Sequence, residues 1–318
     1  MKFPPLDPSQ AVTYPLGQRA STVDAEVLGS TWTPGGQLLD FLHSLPQTLA
    51  AADLRDIARR VAEAAKAQRP IILGMGAHPI KVGLSPLIID FLDRGLFSAV
   101  AMNGAGIIHD FELAYQGQTS EDVTATLADG RFGMARETGE FLNTATRIGV
   151  KEQGLGIGQA VGERILAMHL PYRHLSILAA CVRLGVPASV HVTVGADIIH
   201  MHPQTDGAAI GEGSLRDFYA LAGVVAHLEG GVFLNLGSAV VIPEVFLKAL
   251  TLARNLGHSV KNFTTVDLDF VRHYRPTVNV VTRPTLQGGR GFQLTGHHEI
   301  MFPLLCAAVL EELARSPS

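Results

Sequence analysis

The stretch from Ala99 to Glu112 places side chains capable of acid–base chemistry directly behind a glycine turn. A short apolar run ends in four small or polar residues, and two titratable residues follow one helical turn apart: Asn103, Gly104, Ala105 and Gly106, then His109 and Glu112. Small residues let backbone N–H groups approach a ligand, and a helix N-terminus favours negative charge. The pattern predicts a strand, a phosphate-binding turn and a helix. A turn whose glycines are purely structural is the alternative.

Further titratable residues cluster elsewhere in a chain that contains 13 histidines. His200 and His202 form an HxH step, which on an extended segment places both imidazoles on one face, as in sites where two histidines hold one metal ion. Asp197, Asp206 or His191 would have to complete such a site. The alternative is that these histidines are hydrogen-bonded loop residues. A second cluster lies near the C-terminus and consists of His297, His298 and Glu299.

The segment Thr205–Ser214 is rich in glycine and polar residues. Its composition predicts a surface loop, either a mobile lid over a site or an ordinary capped loop that leads into a helix.

Strands and helices alternate along the remaining sequence. Apolar runs at 70–76, 99–103 and 231–236 indicate buried strands, and helical spacing of apolar residues covers 53–68. A further helix has Pro243 and Glu244 in its first turn and Gly257 just past its end. We therefore expect an α/β fold, a doubly wound, mostly parallel Rossmann-like sheet with helices on both faces. Residues 1–50 are predicted to be an N-terminal extension and 51–318 the main domain.

Composition excludes several classes of partner. The chain of 318 residues is 47% hydrophobic, with 25 Lys and Arg against 29 Asp and Glu and no polybasic run, so we expect neither a nucleic-acid nor a membrane partner. Cys181 and Cys306 form no CxxC motif, and the first residues lack the apolar stretch of a secretory signal. These features predict a cytoplasmic protein.

Several motifs together resemble the deoxyhypusine synthase family. They are the segments 80–92 and 100–110, the turn Gly237-Ser-Ala-Val-Val241, the strand Phe263–Asp269 and the helical Met301-Phe-Pro-Leu-Leu305. The resemblance implies an NAD-binding α/β fold in a homotetramer, with active sites built across subunit interfaces. It also implies hydride removal from spermidine, followed by transfer of an aminobutyl group to a lysine.

The same resemblance implies positions for the cofactor. NAD contacts are expected at His78, Lys81, Asn103, Gly104, Ala105, His109, Gly237, Ser238, Thr265 and His297. The glycine turns add Gly76, Gly106 and Ala239 as cofactor-binding candidates.

Three departures from the family pattern put its reaction in doubt. The segment Val280–Arg283 contains no lysine where the imine-forming residue is expected, and Pro243 occupies the place of the catalytic histidine, with Glu244 alongside. No acidic polyamine contact occurs near 193–195. We therefore expect not a true deoxyhypusine synthase but an NAD-dependent enzyme that dehydrogenates a small amine or amino-acid-like substrate, with or without group transfer. The acid–base candidates are His109, Glu244, His298 and Glu299.

Two other functions stay open from the sequence. One is a metal-dependent hydrolase or lyase on the same scaffold, with His191, His200, His202 and Asp197 as ligands. The other is a non-catalytic protein that retains the NAD pocket.

Overall fold

A single parallel sheet organises the molecule. The computed structural model describes residues 3–315, so the outermost residues of the two predicted segments lie outside the described part. The strands are β1 (Ile71–Met75), β2 (Ala99–Asn103), β3 (Ala188–His191), β4 (Val232–Leu236), β5 (Thr264–Asp269) and β6 (Arg290–Thr295). Their order in the sheet is β3-β2-β1-β4-β5-β6, and every neighbouring pair is parallel.

Helices connect the strands. They are α1 (Leu38–Ser44), α2 (Leu49–Lys66), α3 (His78–Lys81), α4 (Ser85–Asp93), α5 (Gly104–Gln116), α6 (Val123–Thr126), α7 (Arg136–Gln153), α8 (Ile157–Ala167), α9 (Ile177–Leu184), α10 (Gly207–Val225), α11 (Val241–Asn255), α12 (Tyr274–Pro276) and α13 (His298–Ala314). A π-helical segment covers Thr277–Thr282. Before α1, the described chain forms only short 3-10 turns. Within residues 3–315, no helix is both long and apolar enough to cross a membrane.

The sheet separates two hydrophobic cores. Side chains alternate across a strand, so Ile71, Leu73 and Met75 of β1 enter one core and Ile72 enters the other. Helices α2, α4, α5 and α13 cover the first face, and α10 and α11 cover the second. Burial on both faces explains why β1 is a continuous apolar run and why β4 departs from one only at Asn235. The predicted doubly wound Rossmann-like fold is confirmed.

The predicted surface loop at Thr205–Ser214 is wrong, both as a lid and as an ordinary capped loop, because most of the segment is the first part of α10. The Asp206 carboxylate accepts hydrogen bonds from the amides of Ala208 and Ala209 and so caps this helix. Gly213 lies inside the helix at a tight contact, where an added Cβ would be 2.7 Å from Val150 and 2.8 Å from Ile157. Position 213 therefore requires glycine for close helix packing and not for loop mobility.

Candidate functional site

The turns that follow β1 and β4 meet at the carboxyl edge of the sheet. The connections from these central strands run in opposite directions, and open α/β sheets bind ligands at such a crevice. Gly76 donates a backbone hydrogen bond of 3.0 Å to the carbonyl of Leu236. A Cβ on Gly76 would lie far inside van der Waals contact with the carbonyl oxygen of Gly237. The two turns therefore touch through their backbones.

The turn after β4 presents unpaired backbone donors. Gly237 has a φ of +65° and donates its amide to the carbonyl of Leu268, which ends the strand pairing. Among the described residues, the amides of Ser238, Ala239 and Val240 have no hydrogen-bond acceptor. Helix α11 starts immediately afterwards at Val241. Unpaired amides at a helix N-terminus form a site for a phosphate group.

The turn after β2 has a different role. The Asn103 side chain accepts a hydrogen bond of 3.1 Å from the Gly106 amide and so caps α5. An added Cβ on Gly104 would clash with the Asp197 carboxylate, and one on Gly106 would lie 2.8 Å from the sulfur of Met102. These glycines are required for packing, so the structure favours the purely structural alternative for Gly104 and Gly106.

A cavity of about 460 Å³ lies beside the first half of α5. It brings together Lys81, Ala105 and His109 of the predicted cofactor site with three carboxylates. The sequence pattern singles out Glu112 and Asp197 for other reasons, but not Glu121. Apolar walls come from Ile108, Val123, Phe132 and Ile198. We call this the acidic cavity. Burial raises the pKa of Asp197 to about 6, and its Oδ2 has no hydrogen-bond partner within the described part of the chain.

A chain of hydrogen bonds fixes the tautomer of His109. Thr119 donates its one hydroxyl proton to Oε2 of Glu112 at 2.6 Å, so its oxygen accepts from Nδ1–H of His109, also at 2.6 Å. The other carboxylate oxygen of Glu112 accepts from the Thr138 hydroxyl. A neutral imidazole protonated at Nδ1 leaves Nε2 unprotonated. Burial, reinforced by the charge of Lys81, lowers the pKa of His109 to about 4. His109 is thus a neutral proton acceptor at pH 7.

His298 lies close to the turn after β4. Its ring packs 5.4 Å from that of His78 and 5.7 Å from that of Phe270, and its Nε2 is 3.5 Å from Oδ1 of Asp269. Burial lowers the pKa of His298, against the opposing charge of Asp269. Neither ring nitrogen has a hydrogen-bond partner among the described residues. The imidazole is fully buried against Gly237, with the Asp269 carboxylate as its polar neighbour, so it supports the turn from beneath.

Four other predicted residues belong neither to the acidic cavity nor to the cluster of rings around His298. His297 and Glu299 flank His298 but are exposed, with 3.8 Å between His297 Nδ1 and Glu299 Oε1. Thr265 is fully buried near the amino end of β5, so the structure does not bring it to the carboxyl edge. Glu244 accepts hydrogen bonds from Lys248, Arg275 and Asn279. The Lys248 ammonium in particular lowers the pKa of Glu244, and the three donors leave this carboxylate engaged within the protein.

The histidines proposed as metal ligands bind separate partners. His191 Nε2 lies 3.0 Å from the Ser189 hydroxyl, and His202 Nε2 lies 2.8 Å from the carbonyl of Gly133. His200 Nδ1 accepts from the amide of Gly195. In the described range 3–315, no three His, Cys, Asp or Glu side chains are placed to hold a metal ion.

Comparison with solved structures identifies the fold, although no family model and no curated protein matches the sequence. A deoxyhypusine-synthase-like fold is present. A protein proposed to be a deoxyhypusine synthase, from Entamoeba histolytica, superposes with a TM-score of 0.51 at 11% identity, covering 89% of this chain and 96% of its own. The arginine dihydrolase ArgZ from Cyanobacteria gives 0.52 at 16%, and AgrE in complex with ornithine and NAD+ gives 0.54 at 13%.

This chain spans only part of two of these proteins. The matches cover 83% and 82% of this chain but 33% of both ArgZ and AgrE. At these identities the comparison establishes the shared fold alone.

Proposed function

We propose that the protein binds NAD and dehydrogenates a small amine or amino-acid-like substrate. One observation carries the proposal: three consecutive unpaired amides, Ser238 to Val240, lie where the turns after β1 and β4 meet. The likeness of the fold to AgrE, a protein solved with ornithine and NAD+, supports it. Bound NAD would supply a hydride acceptor.

The residues at this turn fit a dinucleotide. Ser238, Ala239 and Val240 would hold the pyrophosphate through their amides, because charge-assisted hydrogen bonds to backbone N–H are worth about 1.5–3 kcal/mol each. Gly76 and Gly237 carry no side chains that would cover the turn. The buried His298 ring packs beneath Gly237 and would hold this turn in place.

The acidic cavity supports an amine as the substrate. Glu112, Glu121 and Asp197 outnumber the one ammonium group of Lys81 and the neutral His109. A small cation is favoured in such a cavity, and the apolar walls suit an aliphatic chain.

His109 has the protonation state that this reaction requires. An ammonium group must lose a proton before the neighbouring carbon can release hydride, so the site needs a base. His109 presents an unprotonated Nε2, and Glu112 acts through Thr119 to keep the proton on Nδ1. We also propose that the protein forms a homotetramer, and that residues 1–50 are an extension of the NAD-binding domain formed by 51–318. The metal-dependent alternative gains no support from the described residues.

A charge at the turn tests the proposal. We expect NAD+ to bind the wild-type protein in calorimetry and Ala239→Asp to weaken it about tenfold or more, because the new carboxylate repels the pyrophosphate. Ala51→Asp adds the same half-buried charge in the first turn of α2 and should leave NAD+ affinity unchanged. Absence of NAD+ binding to the wild type, or equal affinity in Ala239→Asp, would contradict the proposal.

A panel of small aliphatic amines and amino acids tests the substrate class. With NAD+ present, we expect reduced nicotinamide to accumulate with at least one amine and not with the matching alcohols, since only the amine carries the charge that the acidic cavity favours.

A further inference from the structure

A second cavity, of about 560 Å³, lies at the amino edge of the sheet, away from the turns after β1 and β4. Three arginines line it: Arg60 from α2, Arg69 from the segment after α2, and Arg290 at the start of β6. We call it the arginine cavity. Its position at the opposite ends of the strands separates it from the site proposed for NAD.

The charges around this cavity do not cancel. Asp56 lies 3.1 Å from Arg60 and 3.0 Å from Arg290, and it also pairs with Arg59. Glu63, the acidic residue of the lining, accepts a hydrogen bond from Arg59. These four arginines and two carboxylates leave two positive charges. Within residues 3–315, Arg69 has no ion pair, and the buried Nε of Arg60 lacks a properly oriented hydrogen-bond acceptor.

An aromatic ring positions two of the guanidinium groups. The guanidinium carbon of Arg290 lies 4.7 Å from the centroid of Phe292, and that of Arg60 lies 5.6 Å from the same centroid. Cation–π contacts of this kind restrict the side chains, so less conformational entropy is lost when they bind a ligand.

Glycine backbone forms much of the remaining wall. A Cβ on Gly231 would clash with the carbonyl of Pro70, and one on Gly289 would crowd the carbonyl of Phe263. Gly288 has a φ of +135° and lies against the side chain of Asn262. These close approaches leave the glycine part of the wall without side chains, so the arginines are the cationic groups that a ligand in the cavity would meet.

We propose that the arginine cavity binds a phosphate-bearing small molecule. Two uncompensated charges match a phosphate monoester or a short polyphosphate, and guanidinium groups bind phosphate oxygens through paired hydrogen bonds. The volume suits a ligand of nucleotide size. A nucleic acid is disfavoured, because the chain carries a net charge of −4 and the arginines line a cavity rather than an extended surface.

Calorimetry with sodium tripolyphosphate tests this site. We expect binding to the full-length protein, an affinity about tenfold lower in Arg69→Ala, and loss of measurable binding in the double variant with Arg290→Ala. Arg183→Ala removes an exposed arginine of α9 that pairs with Asp93, and should leave the affinity unchanged. Thermal unfolding checks that each variant is folded. The affinity should also fall as salt is added.

A further variant separates this proposal from the one for NAD. Tripolyphosphate should still bind Ala239→Asp, and Arg69→Ala should weaken that remaining binding, since the arginine cavity lies at the opposite edge of the sheet from residue 239. The arginine site is overturned if the wild type does not bind tripolyphosphate. It is also overturned if both arginine variants keep full affinity, or if Ala239→Asp alone abolishes binding.

Discussion

The hydroxyl of Thr119 donates a hydrogen bond of 2.6 Å to the carboxylate of Glu112. Because this contact uses the only proton of the hydroxyl, it sets the tautomer of His109. We expect Thr119→Val to lower kcat about tenfold or more with the amine substrate, since Nε2 is then no longer held unprotonated. The KM for NAD+ should stay unchanged. Steady-state kinetics measures both constants.

Two further variants distinguish loss of the Thr119 hydroxyl from a general disturbance of the fold. Thr119→Ser keeps the hydroxyl and should restore kcat. Thr124→Val makes the same chemical change at an exposed residue of α6 and should have no effect. A loss of activity in the serine variant equal to that in the valine variant would argue against the tautomer explanation.

His109 and Glu244 are expected to differ strongly as bases. His109→Gln should lower kcat about 10²–10⁴-fold, the usual contribution of a general base. Glu244→Gln should change kcat less than about fivefold, because the carboxylate is engaged by Lys248 and Arg275. His174→Gln, at an exposed histidine, is the control for His109. A larger loss from Glu244→Gln than from His109→Gln would reverse these assignments.

The contact between Gly237 and His298 can be measured as stability. Gly237→Ala places a Cβ 2.7 Å from the His298 ring at a φ of +65°, so the variant combines backbone strain with a steric clash. Gly257→Ala has only the strain, since nothing lies within 4 Å of its Cβ at a φ of +92°. We expect Gly257→Ala to cost about 1–2 kcal/mol in urea unfolding and Gly237→Ala to cost more. Equal losses of unfolding free energy in the two variants would mean that the His298 ring moves away from the new methyl group without an energetic penalty.

Asp217 makes stability depend on pH. Its carboxylate accepts hydrogen bonds from the amides of Gly158 and Val190, and burial raises its pKa from 3.8 to about 7. The folded state therefore binds more protons than the unfolded state between these values, and this group's contribution to stability falls as pH rises from about 4 to about 7.

The variant Asp217→Asn isolates this contribution. It lacks the titration, so the free energy of unfolding of the wild type minus that of the variant should decrease by a few kcal/mol, to order of magnitude, across this range and then level off. Urea unfolding at pH 4, 5.5, 7 and about 8 measures this difference, because these values span the range from the ordinary pKa of an aspartate to the raised pKa of Asp217. A difference that grows with pH would contradict the assignment.

Buried parallel strands were the most predictable part of the fold. The apolar run before Gly104 predicts a strand over Ala99–Asn103, which are the bounds of β2. Strand β6 was not predicted, because Arg290–Thr295 alternates buried and exposed residues at the sheet edge and carries no long apolar run. Helix α10 was mistaken for a loop because its glycines resemble turn residues, whereas Gly213 is there for packing.

The candidate site was predictable only where its residues are close in sequence. His109 and Glu112 lie one helical turn apart, so the sequence already places them on one face of α5. The sequence does not show that Asp197 reaches the same cavity, because that contact depends on how the chain after β3 folds back over the sheet. It also does not show that Lys248 and Arg275 both pair with Glu244, since Arg275 comes from a separate helix.

The backbone contact between Gly76 and Gly237 ties the two halves of the sheet together mechanically. With no room for even a methyl group between them, neither turn can shift without displacing the other. His78 lies two residues after Gly76 and its ring packs 5.4 Å from that of His298, which itself lies against Gly237, so both turns are braced by the same pair of imidazoles.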